Sequence, residues 1–402
     1  MVEEHHGKSL DVNLRVMYTN VDGLISSLLE LKDYLRTSEP DIVAITETKL
    51  KEEINVDFVK EGYTTWRRDR KEMGGGGVMI LVKEDIMVEE VEYGDGMAET
   101  MSIVMKTKGS ERRKIIVTYI PPKTNAWETN RYERMQQETR ASLEDMIRKD
   151  SKVLLVGDFN CKEINWKEME IIENAGSWCE GLLQTMMVNT MEQWVSQPTR
   201  YRGEGEPSQL DLVFTKSPEI RPDIQYLSPL GKSDHVVIEI KVREEEEIQR
   251  KEDYREGRRN YAKANFTELR SYFGKIDWKK SLEDKQVQEK YEVFLDIYEK
   301  GVSQFVPKHK IKRSKQAWYN ARCAEAKKAK NRAWKKMQKR RSVDTTEGYA
   351  KARNDYSKIR KEEERKFESD IVTKCKEEPR LFYRYVNGKL KPRDSIDKLK
   401  KR

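Results

Sequence analysis

The sequence predicts a layered α/β domain followed by a basic, mostly α-helical tail. Residues 1–240 alternate apolar strand-like runs with amphipathic segments and turn punctuation, the pattern of sheets covered by helices. That stretch carries 31 Lys and Arg against 43 Asp and Glu, whereas residues 241–402 carry 48 against 28. The window Lys308–Arg340 alone holds 14 basic residues and one acid, Glu325. A chain of 402 residues has room for two or three domains. Its 36% hydrophobic and 37% charged composition implies that part of it is elongated.

In order along the chain, Val12, Leu14, Val16 and Tyr18 share one face of an alternating strand that ends at Asn20. Leu24, Leu28, Leu31 and Leu35 recur at helical spacing until Glu39-Pro40, where the pre-proline restriction stops the helix. Asp41–Ile45 reads as a buried strand with Glu47 just past its end. Gly74 to Gly77 precede a strand at Val78–Val82. They lack the spacing of a nucleotide-binding loop and read as a flexible strand entry. Lys114–Ile120 and Val153–Val156 are further strands, closed by Pro121-Pro122 and by Gly157-Asp158-Phe159-Asn160. Helices are expected over 131–148 and 177–194, and strands over 210–214 and 236–240.

Polar residues at strand ends are ordinary, because Asn and Asp suit turns and helix caps. Glu47, Asp158 and Asn160 each read alone as solvated loop or cap residues more readily than as catalytic ones. Asp211 says more, since it lies within the apolar strand Leu210–Phe214, where a carboxylate needs a partner. His235 precedes another apolar strand, and an Asp211–His235 pair would explain both residues, with a satisfied structural histidine as the plain alternative. Asn20, Asp22, Glu47, Asp158, Asn160, Asp211, Asp234 and His235 all fall near strand ends. Converging carboxylates repel unless a cation neutralises them, and hard oxygen ligands favour Mg²⁺ or Mn²⁺ over Zn²⁺. Such a site suits phosphoester hydrolysis.

At these residues the sequence resembles the endonuclease/exonuclease/phosphatase superfamily. The resemblance rests on Asn20-Val21-Asp22-Gly23-Leu24, Thr46-Glu47-Thr48, Tyr119-Ile120-Pro121-Pro122, Gly157-Asp158-Phe159-Asn160, Leu210–Phe214 and Ser233-Asp234-His235. It covers about residues 11–242 and implies a DNase I-like four-layer α/β sandwich. Within the superfamily it looks most like the endonuclease of jockey-like non-LTR retrotransposons. Ile164-Asn165-Trp166, Gln197-Pro198-Thr199 and Pro229–His235 carry that likeness, and Leu381–Asn387 resembles the linker before a reverse transcriptase.

The resemblance implies a Mg²⁺- or Mn²⁺-dependent endonuclease that nicks DNA and leaves a 3′-hydroxyl to prime reverse transcription. It implies Glu47 as principal metal ligand, with Asn20, Asp22, Asp234, Asp158 and Asn160 in the metal set. Asp158 would activate water, Asn160 hold the phosphate and Tyr119 contact it, while Asp211 pairs with a transition-state-stabilising His235. An abasic-site repair nuclease or a phosphatase on the same fold, or an idle nucleic-acid binder, are the alternatives.

The expected organisation is a flexible start (1–10), the nuclease domain (11–242), a helical linker (243–305) and a basic tail (306–402). The stretch 308–347 lacks Gly and Pro and favours one long helix, either solvated or bound to DNA or element RNA. A basic groove including Arg200 and Arg202 is expected beside the acidic site. No Asp-Asp pair occurs, so a reverse transcriptase site is absent from the chain. No apolar run could span a bilayer and no secretory signal is recognisable, so the expectation is an intracellular protein, nuclear or cytoplasmic. Lys308–Lys315 and Lys335–Arg341 fit nuclear localisation signals, and the four cysteines read as reduced thiols.

Overall fold

A computed structural model describes residues 12–56, 58–71, 73–107, 111–172, 175–203, 205–216, 221–244, 248–250, 261–307, 317–375 and 377–389. The N-terminal stretch 1–10 and the segment Lys308–Lys315 lie outside them. The chain divides into two compact units, Met1–Gln249 with Lys315–Arg402, and Arg250–Ser314.

The first unit opens with β1 (Val12–Asn20), α1 (Leu24–Ser38), β2 (Ile42–Thr46), β3 (Tyr63–Arg68), β4 (Val78–Lys83), β5 (Val88–Tyr93), β6 (Glu99–Lys106) and β7 (Arg112–Tyr119). It continues through α2 (Thr129–Arg148), β8 (Lys152–Asp158), the short pair β9 (Ile164–Asn165) and β10 (Glu170–Ile171), and α3 (Ser177–Val188). β11 (Glu192–Gln193), β12 (Asp211–Thr215), β13 (Asp223–Leu227) and β14 (Val237–Glu244) follow. One six-stranded sheet has the order β13-β14-β1-β2-β4-β3 and the other β11-β12-β8-β7-β6-β5.

Alternation along the strands builds four layers. Leu14, Val16 and Tyr18 of β1 face Ile115, Val117, Val156 and Val213 of the other sheet in the central core. Met17, Val43 and Ile45 point the other way, onto Leu24, Leu31 and Leu35 of α1. Ile116, Leu155, Leu212 and Phe214 pack outward under Leu143, Met146 and Ile147 of α2 and Leu182 and Met186 of α3. The fold is a DNase I-like sandwich of two mixed sheets between outer helices.

Three expectations need correction. The helix expected to Trp194 ends at Val188, because Glu192 and Gln193 pair with Thr215 and Phe214 as a sheet edge. Cys161 and Cys179, expected reduced, form a disulfide with Cα atoms 5.9 Å apart; Cys323 and Cys375 are free. The single long helix becomes α7 (Ala321–Lys339) and α8 (Val343–Lys374), because Ser342 caps a new start by accepting the Thr345 amide. These two helices fold back on each other, with Trp334 against Tyr349 near the turn and Arg322 paired to Glu362 and Glu363 at the far end. They pack on the sandwich, where Trp334 and Met337 are 2% and 3% exposed. α9 (Pro379–Lys389) follows.

The second unit holds α4 (Phe266–Gly274), α5 (Trp278–Leu282) and α6 (Val287–Phe305), closed around Leu269, Val302 and Val306. Among the described residues no helix is long and apolar enough to cross a membrane.

Candidate active site

The parallel pairing of β1 with β2 sets Asn20 beside Thr46, so Glu47 follows at the same edge of its sheet. In the other sheet Tyr119, Asp158 and Asp211 are neighbours on β7, β8 and β12. Register therefore gathers the motifs before any side chain is considered.

Asp211 is fully buried and its Oδ2 lies 2.7 Å from His235 Nδ1. Its Oδ1 accepts a bond from the Tyr18 hydroxyl at 2.7 Å, and its amide donates to Thr199 Oγ1 at 3.0 Å. The imidazole is thereby oriented with Nε2 facing Asp158 Oδ2 at 3.9 Å and Asp234 Oδ1 at 3.6 Å. Burial alone would lower the His235 pKa, but Asp211, then Asp158 and Asp234, outweigh it and raise it to about 9. Asp158 is displaced upward, first by burial and then by Asp211 directly opposite.

Asn20 Nδ2 donates to Asp158 Oδ2 at 2.9 Å, and Asn20 Oδ1 accepts the Asp22 amide at 3.0 Å. Tyr119 donates to Glu47 Oε1 at 2.6 Å, and burial, then Glu47, push its hydroxyl pKa up. Asn160 spends its side-chain amide on the Ile120 carbonyl at 2.7 Å and its backbone amide on Asp158 Oδ1 at 3.1 Å. Asp22, Glu47 and Asn160 adopt φ of 45°, 51° and 43°, an uncommon conformation whose cost the surrounding bonds must hold.

Asn20, Asp22, Glu47, Asp234 and His235 line a pocket of about 200 Å³ together with Arg200 and Arg202, the basic wall expected from sequence. Arg200 Nε holds Asp234 Oδ2 at 3.0 Å. The predicted residues thus meet at one site, except that the Asn160 amide is turned to the backbone. Oxygen donors without a thiolate suit a hard divalent cation. The Lys49 ammonium already lies between Asp22, which it bonds, and Glu47 Oε2 at 3.5 Å, so a cation has a place between these carboxylates.

Sequence reasoning missed Tyr18, Lys49 and Arg70. Tyr18 looked like core, although a hydroxyl ending an inward-facing strand is a usable signal. Arg70 lies over the rings of Tyr119 and Trp127, 5.7 Å from each, and pairs with Glu99 at 2.5 Å. The glycine run is tighter than the expected flexible entry. Thr48 and Lys49 donate their amides to the carbonyls of Gly77 and Gly76. A Cβ on Gly77, at φ +90°, would fall 2.5 Å from Thr48 Oγ1.

Among solved structures the fold is similar to the 3′-5′ exonuclease from Neisseria meningitidis, at 15% identity and a TM-score of 0.47, covering 57% of this chain and 100% of that one. It is also similar to an AP endonuclease from Archaeoglobus fulgidus, at 18% identity and a TM-score of 0.45, covering 56% and 98%. The catalytic domain of Xenopus laevis APE2 gives 14%, 0.44, 60% and 94%. No curated protein matches the chain. The pattern of the endonuclease/exonuclease/phosphatase family matches residues 17–235, more than half of the chain, and the chain belongs to that family.

Proposed function

We propose that the protein is a divalent-metal-dependent phosphodiesterase that nicks DNA. In line with the retrotransposon endonucleases that its motifs resemble, it would leave a 3′-hydroxyl end. The observation that carries the reading is the Tyr18–Asp211–His235 chain, whose free imidazole edge faces Asp158 beside an acidic pocket.

Glu47 and Asp22, with Asp234 across the pocket, would hold the metal ion. When bound, the ion supplies charge neutralisation at a phosphoryl oxygen. Asp158, fixed by Asn20, accepts the proton of the attacking water. His235, held as an imidazolium by Asp211, donates toward the charge that develops on the phosphoryl group. Tyr119 keeps the Glu47 carboxylate in register, and Arg200 keeps Asp234 in place. Mg²⁺ is the ion proposed, with Mn²⁺ as its substitute.

The test is supercoiled plasmid incubated with purified protein and Mg²⁺ or EDTA, beside a Glu47→Ala, His235→Ala double variant. Relaxed circles that require Mg²⁺ and disappear in the variant are expected. Cleavage of an abasic duplex but not of intact plasmid would move the reading to repair. No cleavage of either would remove it.

A further inference from the structure

The basic residues of α7 divide between two faces, and one face is not free. Lys327, Lys330, Trp334 and Met337 recur at spacings of three and four, which puts them in one row, and Arg341 follows just past the end of the helix. This row lies behind two loop segments, 196–203 and 228–235, that carry Arg200, Asp234 and His235.

At the second loop, Lys330 Nζ donates to the Pro229 carbonyl at 2.8 Å and to Glu30 Oε2 at 2.9 Å. Glu30 in turn accepts the Gly231 amide, and Ser228 Oγ donates to Asn331 Oδ1 at 2.9 Å. At the first loop, Trp334 packs edge-on against Tyr201 with centroids 5.0 Å apart. Arg341 lies over the same ring at 5.8 Å and donates to the Gly203 carbonyl at 2.7 Å. The loops are tied to each other where they meet the pocket, through Tyr201 N to Asp234 O at 2.8 Å and Val236 N to Thr199 O at 2.8 Å.

Loops hold catalytic geometry less well than strands, and misplacement of about 1 Å can cost about 100-fold in rate. We propose that α7 is a positioning element of the active site, resting on the phosphodiesterase reading above. Lys330, Trp334 and Arg341 set Arg200, Asp234 and His235 from behind without touching DNA. The tail is then part of the nuclease rather than an appendage to it.

The experiment compares full-length wild type, Trp334→Ala, Trp334→Phe and Arg341→Ala by amide hydrogen exchange and by steady-state cleavage of a short duplex with Mg²⁺. In Trp334→Ala, exchange at residues 199–203 and 233–236 is expected to rise about tenfold with β1 and β8 unchanged. Its kcat, normalised to the folded fraction that the protection of β1 and β8 reports, falls about tenfold while KM stays within about twofold; the normalisation separates this from simple loss of folded protein. Trp334→Phe restores both readings, and Arg341→Ala shifts them in the same direction by less. Unchanged loop exchange in a folded Trp334→Ala, or raised exchange with wild-type kcat, overturns the proposal. If Trp334→Ala loses protection throughout, the half-exposed Arg341 decides by the same two readings. Absence of cleavage by wild type would remove the phosphodiesterase reading, and loop exchange would still decide whether α7 braces the wall.

Discussion

Among the described residues, two clusters that bury charge are balanced differently. Behind the sandwich, Glu30 is held by Lys330 at 2.9 Å and Arg360 at 3.3 Å, with Asp33 and Lys327 paired at 2.5 Å alongside. Burial would raise the Glu30 carboxyl, but the two cations outweigh it and hold it below its ordinary range. At the front, buried Asp158 and Asp211 and the pocket-lining Asp22, Glu47 and Asp234 meet Lys49, Arg200, Arg202 and the His235 imidazolium. The rear sets three cations against two carboxylates, whereas at the front the carboxylates outnumber the cations beside them, which suits a bound cation. Uncompensated buried charge is a functional signal, and compensated charge is a structural one.

The largest effect should separate the two at once. Glu47→Gln removes front charge, and plasmid nicking with Mg²⁺ is expected to fall by about 10³-fold while the thermal midpoint holds or rises. An unchanged nicking rate would break the comparison. At the rear the signs reverse. Glu30→Gln leaves Lys330 and Arg360 buried without a counter-charge, and urea unfolding should show a loss of about 3–5 kcal/mol. A loss below about 1 kcal/mol would mean the rear cluster is solvated, and the contrast would fail.

A pH series sharpens the same contrast. The His235 pKa is raised from 6.5 to about 9, so its protonated form stabilises the fold. In metal-free protein that contribution is complete below about pH 6.5 and is lost as pH rises through 9. Asp158, displaced upward by burial, has the same sign, since its ionisation also works against the fold. The stability advantage of wild type over His235→Gln in EDTA should therefore shrink between pH 6 and pH 10. Added Mg²⁺ should soften the alkaline loss, because a bound cation favours ionised carboxylates. Parallel pH curves for the two proteins in EDTA would count against an imidazolium at this site.

The front cluster was legible in the sequence and the rear one was not, for a physical reason. Asp211 and His235 stand against apolar strand neighbours, and strand-end motifs keep their order along the chain, so local pattern exposes them. Lys330 sits in a run of basic residues, and its burial depends on Glu30, 300 positions away. Its spacing from Trp334 and Met337 sets it apart from exposed Lys328 and Lys335 but does not point to its partner. The strands read correctly, such as Val78–Lys83, are apolar and buried. Those missed, β3, β5, β6, β9, β10, β11 and β13, include charged edge segments such as Val88–Tyr93, which become strands only by pairing with a neighbour. Trp334 lies in the basic stretch, and its partner is Tyr201 on a loop of the first half, a pairing that no local pattern shows.

The smallest effect concerns how Arg360 reaches Glu30. α8 starts at Ser342, whose Oγ accepts the Thr345 amide at 3.3 Å while Thr345 Oγ1 accepts the Ser342 amide at 2.9 Å. This reciprocal cap ends α7 and turns the chain so that Arg360 returns over α1. Ser342→Ala should cost about 1 kcal/mol in urea unfolding, the usual value of a lost helix cap. Because the buried pairs and the Trp334–Tyr201 contact remain, nicking per folded molecule should stay within about twofold of wild type, since the site geometry is untouched. A tenfold loss of nicking after so mild a destabilisation would show that the front site depends on the α7–α8 turn itself, and not only on the row of side chains along α7.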